Sequence, residues 1–138
     1  MRDDRKLSGG CNCGAVRYSI GGVPIAVVAC HCTQCRKQSG AAFSVNLVVP
    51  ADTMHVEGSP AIWEDRETDS GLLLRREFCG ACGSPIRSVP AESILVAVKA
   101  GTLDCADGWA PMMHIWTRSK LSWVTIPDGL PSFEKAPA

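Results

Sequence analysis

The stretch "IAVVACHCTQC", residues 25–35, decides how the chain is read. Its first six residues form an unbroken apolar run of strand length containing isoleucine and valine, the pattern of a strand buried on both faces. The run ends on Cys30, and Cys32 and Cys35 follow at once, so three sulfurs gather where a strand stops. Zinc in a structural protein site takes four ligands. The fourth must come from one of the five remaining cysteines or from outside the chain.

Outward from this stretch the pattern stays β-like. Upstream, in "AVRYSI", Val16, Tyr18 and Ile20 alternate with Ala15, Arg17 and Ser19, the period-two signature of a half-buried strand, and "GGVP" then turns the chain. Downstream, "TQCRKQSG" suits one turn of helix stopped by Gly40, and "AAFSVNLVVP" returns to strand. "MHVEG", "AIWED" and "LLLRREF" are short strand-like segments broken by Gly, Pro or charged turns, followed by "CGACGSPIRSVP", "ILVAVKAG" and "HIWTR". No segment sustains a 3.6-residue apolar period over helical length. The expectation is a mostly β, largely antiparallel fold with one or two short helical turns. At 138 residues it forms a single domain, residues 1–138, with only the tail "EKAPA" disordered.

Fourteen basic and fourteen acidic residues cancel, so no net field draws the chain to nucleic acid or to an anionic membrane. The opening "MRDDRKLSGG" lacks the apolar core of a signal peptide, and no apolar run approaches the roughly 20 residues of a membrane helix. A cytoplasmic protein is expected. There, eight cysteines at CxC, CxCxxC and CxxC spacings read as zinc ligands rather than disulfides, which want an oxidising compartment and strain between near neighbours.

The sulfurs sort by spacing. "CGACG", residues 79–83, has the form of a zinc knuckle, with Gly80 and Gly83 permitting the tight turn. It offers two ligands, Cys79 and Cys82, and Cys11 with Cys13 in "CNCG" completes a four-cysteine set suited to a structural staple. Cys30, Cys32, Cys35 and Cys105 remain. A second four-cysteine site would need Cys105 to arrive without a companion, from a segment with no knuckle character. The preferred reading leaves the trio Cys30, Cys32 and Cys35 with water or a substrate atom as fourth ligand, as in zinc sites that do chemistry. Two zinc ions are expected, one structural and one catalytic, and Cys105 is read as an ordinary thiol. His31, between two ligands, should point away from the metal in extended backbone. His55 and His114 are read as isolated surface or core residues.

With these motifs in hand, the chain resembles the glutathione-dependent formaldehyde-activating enzyme family, also called centromere-protein-V-like domains. The resemblance rests on "GGCNCGAVRY", "CHCTQCRKQSGAAF", "FCGACGSPI" and "AGTLD" in that order, then "HIWTRSKLSW" and "DGLPSFE". It implies a β-tent domain with a structural zinc on Cys11, Cys13, Cys79 and Cys82 and a reactive one on Cys30, Cys32 and Cys35. The implied activity joins glutathione to formaldehyde, giving S-hydroxymethylglutathione in formaldehyde detoxification, a carbon–sulfur lyase type of reaction. In "GTLDCADG" the family often has a second acid where this chain has Cys105.

Zinc with three thiolates carries a formal charge of minus one, which makes it a poor activator of water but able to accept an incoming thiol as thiolate. Arg36 and Lys37, directly after the last ligand, are candidates to pair with the carboxylates of glutathione, a solvated surface pair being the alternative. Ser39, Phe43, Trp63, His114, Lys120 and Trp123 are further candidates for the wall of the site, each with a packing alternative. Two other functions fit the same residues: a non-catalytic glutathione- or zinc-binding module, and a redox sensor in which the trio loses zinc and forms disulfides.

Overall fold

Alternation and turn residues set the elements. The computed structural model describes residues 7–137. Ten strands are present: β1 (Leu7–Gly10), β2 (Arg17–Ile20), β3 (Ala26–Cys30), β4 (Ser44–Pro50), β5 (Met54–Glu57), β6 (Ala61–Asp65), β7 (Leu74–Phe78), β8 (Pro85–Pro90), β9 (Leu95–Lys99) and β10 (Met113–Ile115). One helix, α1 (Thr33–Ser39), and three single 3-10 turns complete the set, so the mostly β expectation holds. β1 has no period-two apolar pattern in "LSGG" and was not expected as a strand. It forms because β2 pairs with it, Gly9 opposite Tyr18, and because a Cβ at Gly9 would collide with the Thr102 carbonyl and the Tyr18 ring.

The strands make two sheets. The smaller has the order β1-β2-β5, and the larger runs β10-β3-β4-β9-β8-β7-β6. Every pair is antiparallel except β10 with β3, which is parallel. The alternating Val16, Tyr18 and Ile20 of the small sheet are buried in one cluster with Val27, Leu47, Val49, Val96 and Val98 of the large sheet. Burial of each such aliphatic side chain contributes about 1.5–3 kcal/mol. Arg17 closes the seam by donating from Nη1 to Asp104 Oδ1 at 2.9 Å, and Tyr18 Oη meets Thr102 Oγ1 at 2.7 Å. The "GTLD" segment therefore clips the small sheet to the end of β9.

The opposite face of the large sheet is polar and equally buried. Register puts Cys30 opposite Ser44, Asn46 opposite Lys99, and Arg76 opposite Ser88, all on the face away from Leu47 and Val98. Ser44, Asn46, Lys99, Ser88, Arg76 and Asp65 are all buried. Asp65 accepts from Arg76 Nε at 2.8 Å, which neutralises the guanidinium within the sheet.

The "EKAPA" tail departs from its expected disorder. Arg118 N donates to the Glu134 carbonyl and Trp116 N to the Lys135 carbonyl at 3.0 Å, while Ser132 bridges His114 in parallel. The tail lies along β10 and satisfies backbone groups that the edge strand would otherwise leave to solvent. Ala138 falls outside the described residues.

Candidate functional site

Two cysteine groups form where the sequence places them. Cys11, Cys13, Cys79 and Cys82 bring their sulfurs within 4.8 Å of one another, and so do Cys30, Cys32 and Cys35. All eight cysteines are free thiols. In a tetrahedral site with zinc–sulfur bonds of about 2.3 Å the sulfurs sit about 3.8 Å apart. Cys11 to Cys13 is 3.6 Å and Cys13 to Cys79 is 3.7 Å, so the four-sulfur group fits that ion.

The four-cysteine group is built from two tight loops. In one, Gly83 takes φ 83° and its N–H returns to the Cys79 carbonyl, while Ala81 N and Cys82 N point at Cys79 Sγ at 3.4 and 3.5 Å. Gly80, also expected to ease this turn, is not among the positive-φ glycines. In the other loop, Val16 N donates to Cys11 Sγ at 3.2 Å. Amide donors stabilise thiolates. That hydrogen bond from Val16 holds the Cys11 thiol below its usual range, and hydrogen bonding from Ser84 brings Cys82 down to about 5. The group ties the β1–β2 loop to the β7–β8 loop.

The three-cysteine group sits at the end of β3. Cys30 is the last residue of the strand, and Cys32 caps α1 by accepting from Cys35 N at 3.2 Å. The helix ends at Gly40 in the left-handed region, φ 67°, as its sequence position predicts, though it runs seven residues rather than a single turn. Cys30 and Cys32 are buried and pack against Trp116, whose own backbone is left-handed at φ 57°. Hydrogen bonds from Cys30 and Cys32, together with the charges of Lys99 and Arg76, pull the Cys35 thiol down to about 2. Hydrogen bonding with Cys32 and Cys35, and burial, push Cys30 far up. A divalent ion held by the trio would take the place of thiol protons. Among the described residues no fourth His, Cys, Asp or Glu joins this group.

His31 turns away from the sulfurs, as extended backbone requires, and is fully buried. Its Nε2 meets His114 Nδ1 at 2.9 Å, and both rings lie near Phe43. This corrects the reading of His114 as an isolated residue. Desolvation, reinforced by the charges of His114 and Lys120, holds His31 down to about 4.

The remaining candidates divide. Arg36 and Lys37 lie in the last turn of α1, half-buried and exposed respectively, and neither has an acidic partner among the described residues. Ser39 spends its hydroxyl on the Arg36 carbonyl, and Lys120 donates to the Leu121 and Val124 carbonyls, so both act within local structure. Trp63 stands exposed on β6, at the far edge of the sheet from β3 and β10. Trp123 is exposed, and so is Cys105, which joins neither group. The buried row Ser44, Asn46 and Lys99 beside Cys30 was not singled out from sequence. Its signal was a lysine closing the apolar "ILVAV" and polar residues at every second position of "SVN".

Among solved structures, the chain is similar to the crystal structure of a Rhodobacter sphaeroides protein at 15% identity and a TM-score of 0.55. That match covers 91% of this chain and 98% of the other, which shows a shared fold. No curated protein matches. The family model for the glutathione-dependent formaldehyde-activating enzyme matches residues 6–119. With that span covering most of the sequence and taking in both cysteine groups, the chain belongs to the glutathione-dependent formaldehyde-activating enzyme family.

Proposed function

We propose that the chain is a single-domain, zinc-dependent enzyme of the carbon–sulfur lyase type, acting on the adduct of a small aldehyde with glutathione or another thiol. The observation that carries this reading is a sulfur trio with no fourth His, Cys, Asp or Glu among the described residues, in a chain that also holds a complete four-sulfur group. The four-sulfur group is assigned to a structural zinc and the trio to a catalytic one. When bound, zinc at the trio supplies a position where an incoming thiol is held as thiolate.

The chain's own residues do the rest. Cys30, Cys32 and Cys35 supply an anionic donor set that disfavours activation of water and so favours sulfur over hydroxide chemistry. Trp116 covers Cys30 and Cys32 and keeps water from that side. Arg36 and Lys37, in the last turn of α1 and without an acidic partner among the described residues, would hold the carboxylates of glutathione. In the forward direction the thiol sulfur bonds to the carbonyl carbon, the carbonyl electron pair moves to oxygen, and the proton lost by the thiol ends on that oxygen.

The test pairs elemental analysis with exchange spectroscopy of glutathione and formaldehyde. Wild type should hold about two zinc ions and Cys32→Ser about one, with exchange between free and adduct glutathione accelerated only by wild type. Two zincs and glutathione binding without acceleration would favour the binding module. A zinc count unchanged in Cys32→Ser would remove the trio as a metal site.

A further inference from the structure

The polar face of the large sheet holds one buried charge with no opposite charge beside it. On that face Arg76 is paired with Asp65 at 2.8 Å; on the other face the buried Glu77 is paired with Arg87 at 3.0 Å. Lys99 is 94% buried, taking its 6% exposure, yet its Nζ meets only the neutral amide oxygen of Asn46, at 3.0 Å. No carboxylate pairs with it among the described residues. A buried, unpaired ammonium is strongly disfavoured unless something nearby balances it.

The nearest candidate lies along the same row. Lys99 stands opposite Asn46, Asn46 Nδ2 donates to Ser44 Oγ at 3.0 Å, and Ser44 stands opposite Cys30. Directly opposed side chains in a sheet have Cβ atoms about 4.5–5.5 Å apart, so the row leads from Lys99 to the trio in three steps, two across the sheet and one along β4. The charge of Lys99 and those of Cys30, Cys32 and Cys35 act on one another. Three thiolates and a divalent ion sum to minus one, and Lys99 contributes plus one.

We propose that Lys99 is the built-in counter-charge of the three-sulfur site, fixed in place by Asn46 and balancing the trio when it holds its metal. Lys99 is thus a positioning residue that acts through the donor set rather than on the substrate. The inference rests on the reading of the trio as a metal site. It gives the buried polar row a purpose that packing alone does not, because an apolar side chain at position 99 would fill the space without the desolvation penalty of an ammonium.

Cobalt(II) titration with chelator competition tests this on the full chain, with Cys32→Ser giving the reference spectrum of the four-cysteine group alone. That group serves as an internal control for folding. Asn46→Asp keeps the size and the acceptor for Lys99 while neutralising its charge, and Lys99→Met removes the charge. Each should weaken cobalt at the trio by about tenfold or more and leave the four-cysteine affinity unchanged, while Lys99→Arg stays within about threefold of wild type. Wild-type trio affinity in Asn46→Asp, or a parallel loss at both groups, would overturn the counter-charge role. A wild type that takes cobalt only at the four-cysteine group would instead overturn the reading of the trio itself, and the inference with it.

Discussion

His31 and His114 join side chains across the parallel β3–β10 pair, Nε2 to Nδ1 at 2.9 Å, although 83 residues separate them. One ring donates and the other accepts, which requires at least one neutral imidazole. Among the described residues His31 Nδ1 has no partner, so the bond at Nε2 is what compensates this fully buried ring. His114→Ala should therefore destabilise the zinc-loaded protein by about 1–3 kcal/mol, the penalty for a stranded buried polar group. His55→Ala, at a position 74% exposed, should stay within about 0.5 kcal/mol of wild type. Urea denaturation of both variants checks the pair; equal stabilities would mean that the bond contributes nothing.

Asp65 and Arg76 make a buried ion pair at 2.8 Å, with Arg76 Nη1 also reaching Ser88 Oγ at 3.3 Å. Removal of one partner leaves the other charge uncompensated away from water. Asp65→Ala should cost about 3–5 kcal/mol, whereas Asp65→Leu combined with Arg76→Met should recover most of that loss. If chemical denaturation shows the double variant no more stable than Asp65→Ala, the cost comes from packing and not from the unpaired guanidinium.

Both cysteine groups were legible because ligand spacing is local: sulfurs two or three residues apart in Cys11 and Cys13, in Cys79 and Cys82, and in the trio can meet only in a tight turn. Gly40 was legible for the same reason, its left-handed conformation being a local demand. The core strand carrying Tyr18 and Ile20, with the buried Val16 just before it, could be read from alternation. What could not be read depends on register. Lys99 meets Asn46 and His31 meets His114 only through strand pairings that no short window contains. β1 owes its form to its partner strand, and the tail at Glu134 and Lys135 to the backbone of Trp116 and Arg118 just past β10. Trp63 could be read only as a candidate for the wall of the site with strand packing as its alternative; the strand order sets it on the edge away from β3.

Metal at the two groups should have unequal effects on stability. Cys11, Cys13, Cys79 and Cys82 join loops 66 or more residues apart, so loss of that metal releases a long-range tie between the two sheets. Cys79→Ser should lower the thermal midpoint sharply and remove about one zinc, while Cys32→Ser removes about one zinc with a smaller change in midpoint. Calorimetry beside elemental analysis decides this. A larger drop for Cys32→Ser would reverse the assignment of structural and catalytic groups.

Asp104 ties the "GTLD" segment to β2 through two hydrogen bonds from Arg17 and to β1 through one from Ser8. Those bonds from Arg17 hold the Asp104 carboxyl below its usual range. A carboxylate whose folded pKa is depressed contributes stability above its unfolded value, about 3.9, and loses that contribution as pH falls through the folded value. Asp104→Asn should therefore melt below wild type at neutral pH, with the gap closing on acidification past about pH 4. The pair is substantially exposed, with side chains 43% and 46% accessible, so added salt should also narrow the gap. A gap that stays constant from neutral to acid pH would show that Asp104 acts through shape and neutral hydrogen bonding, with its charge playing no part in holding the small sheet to β9.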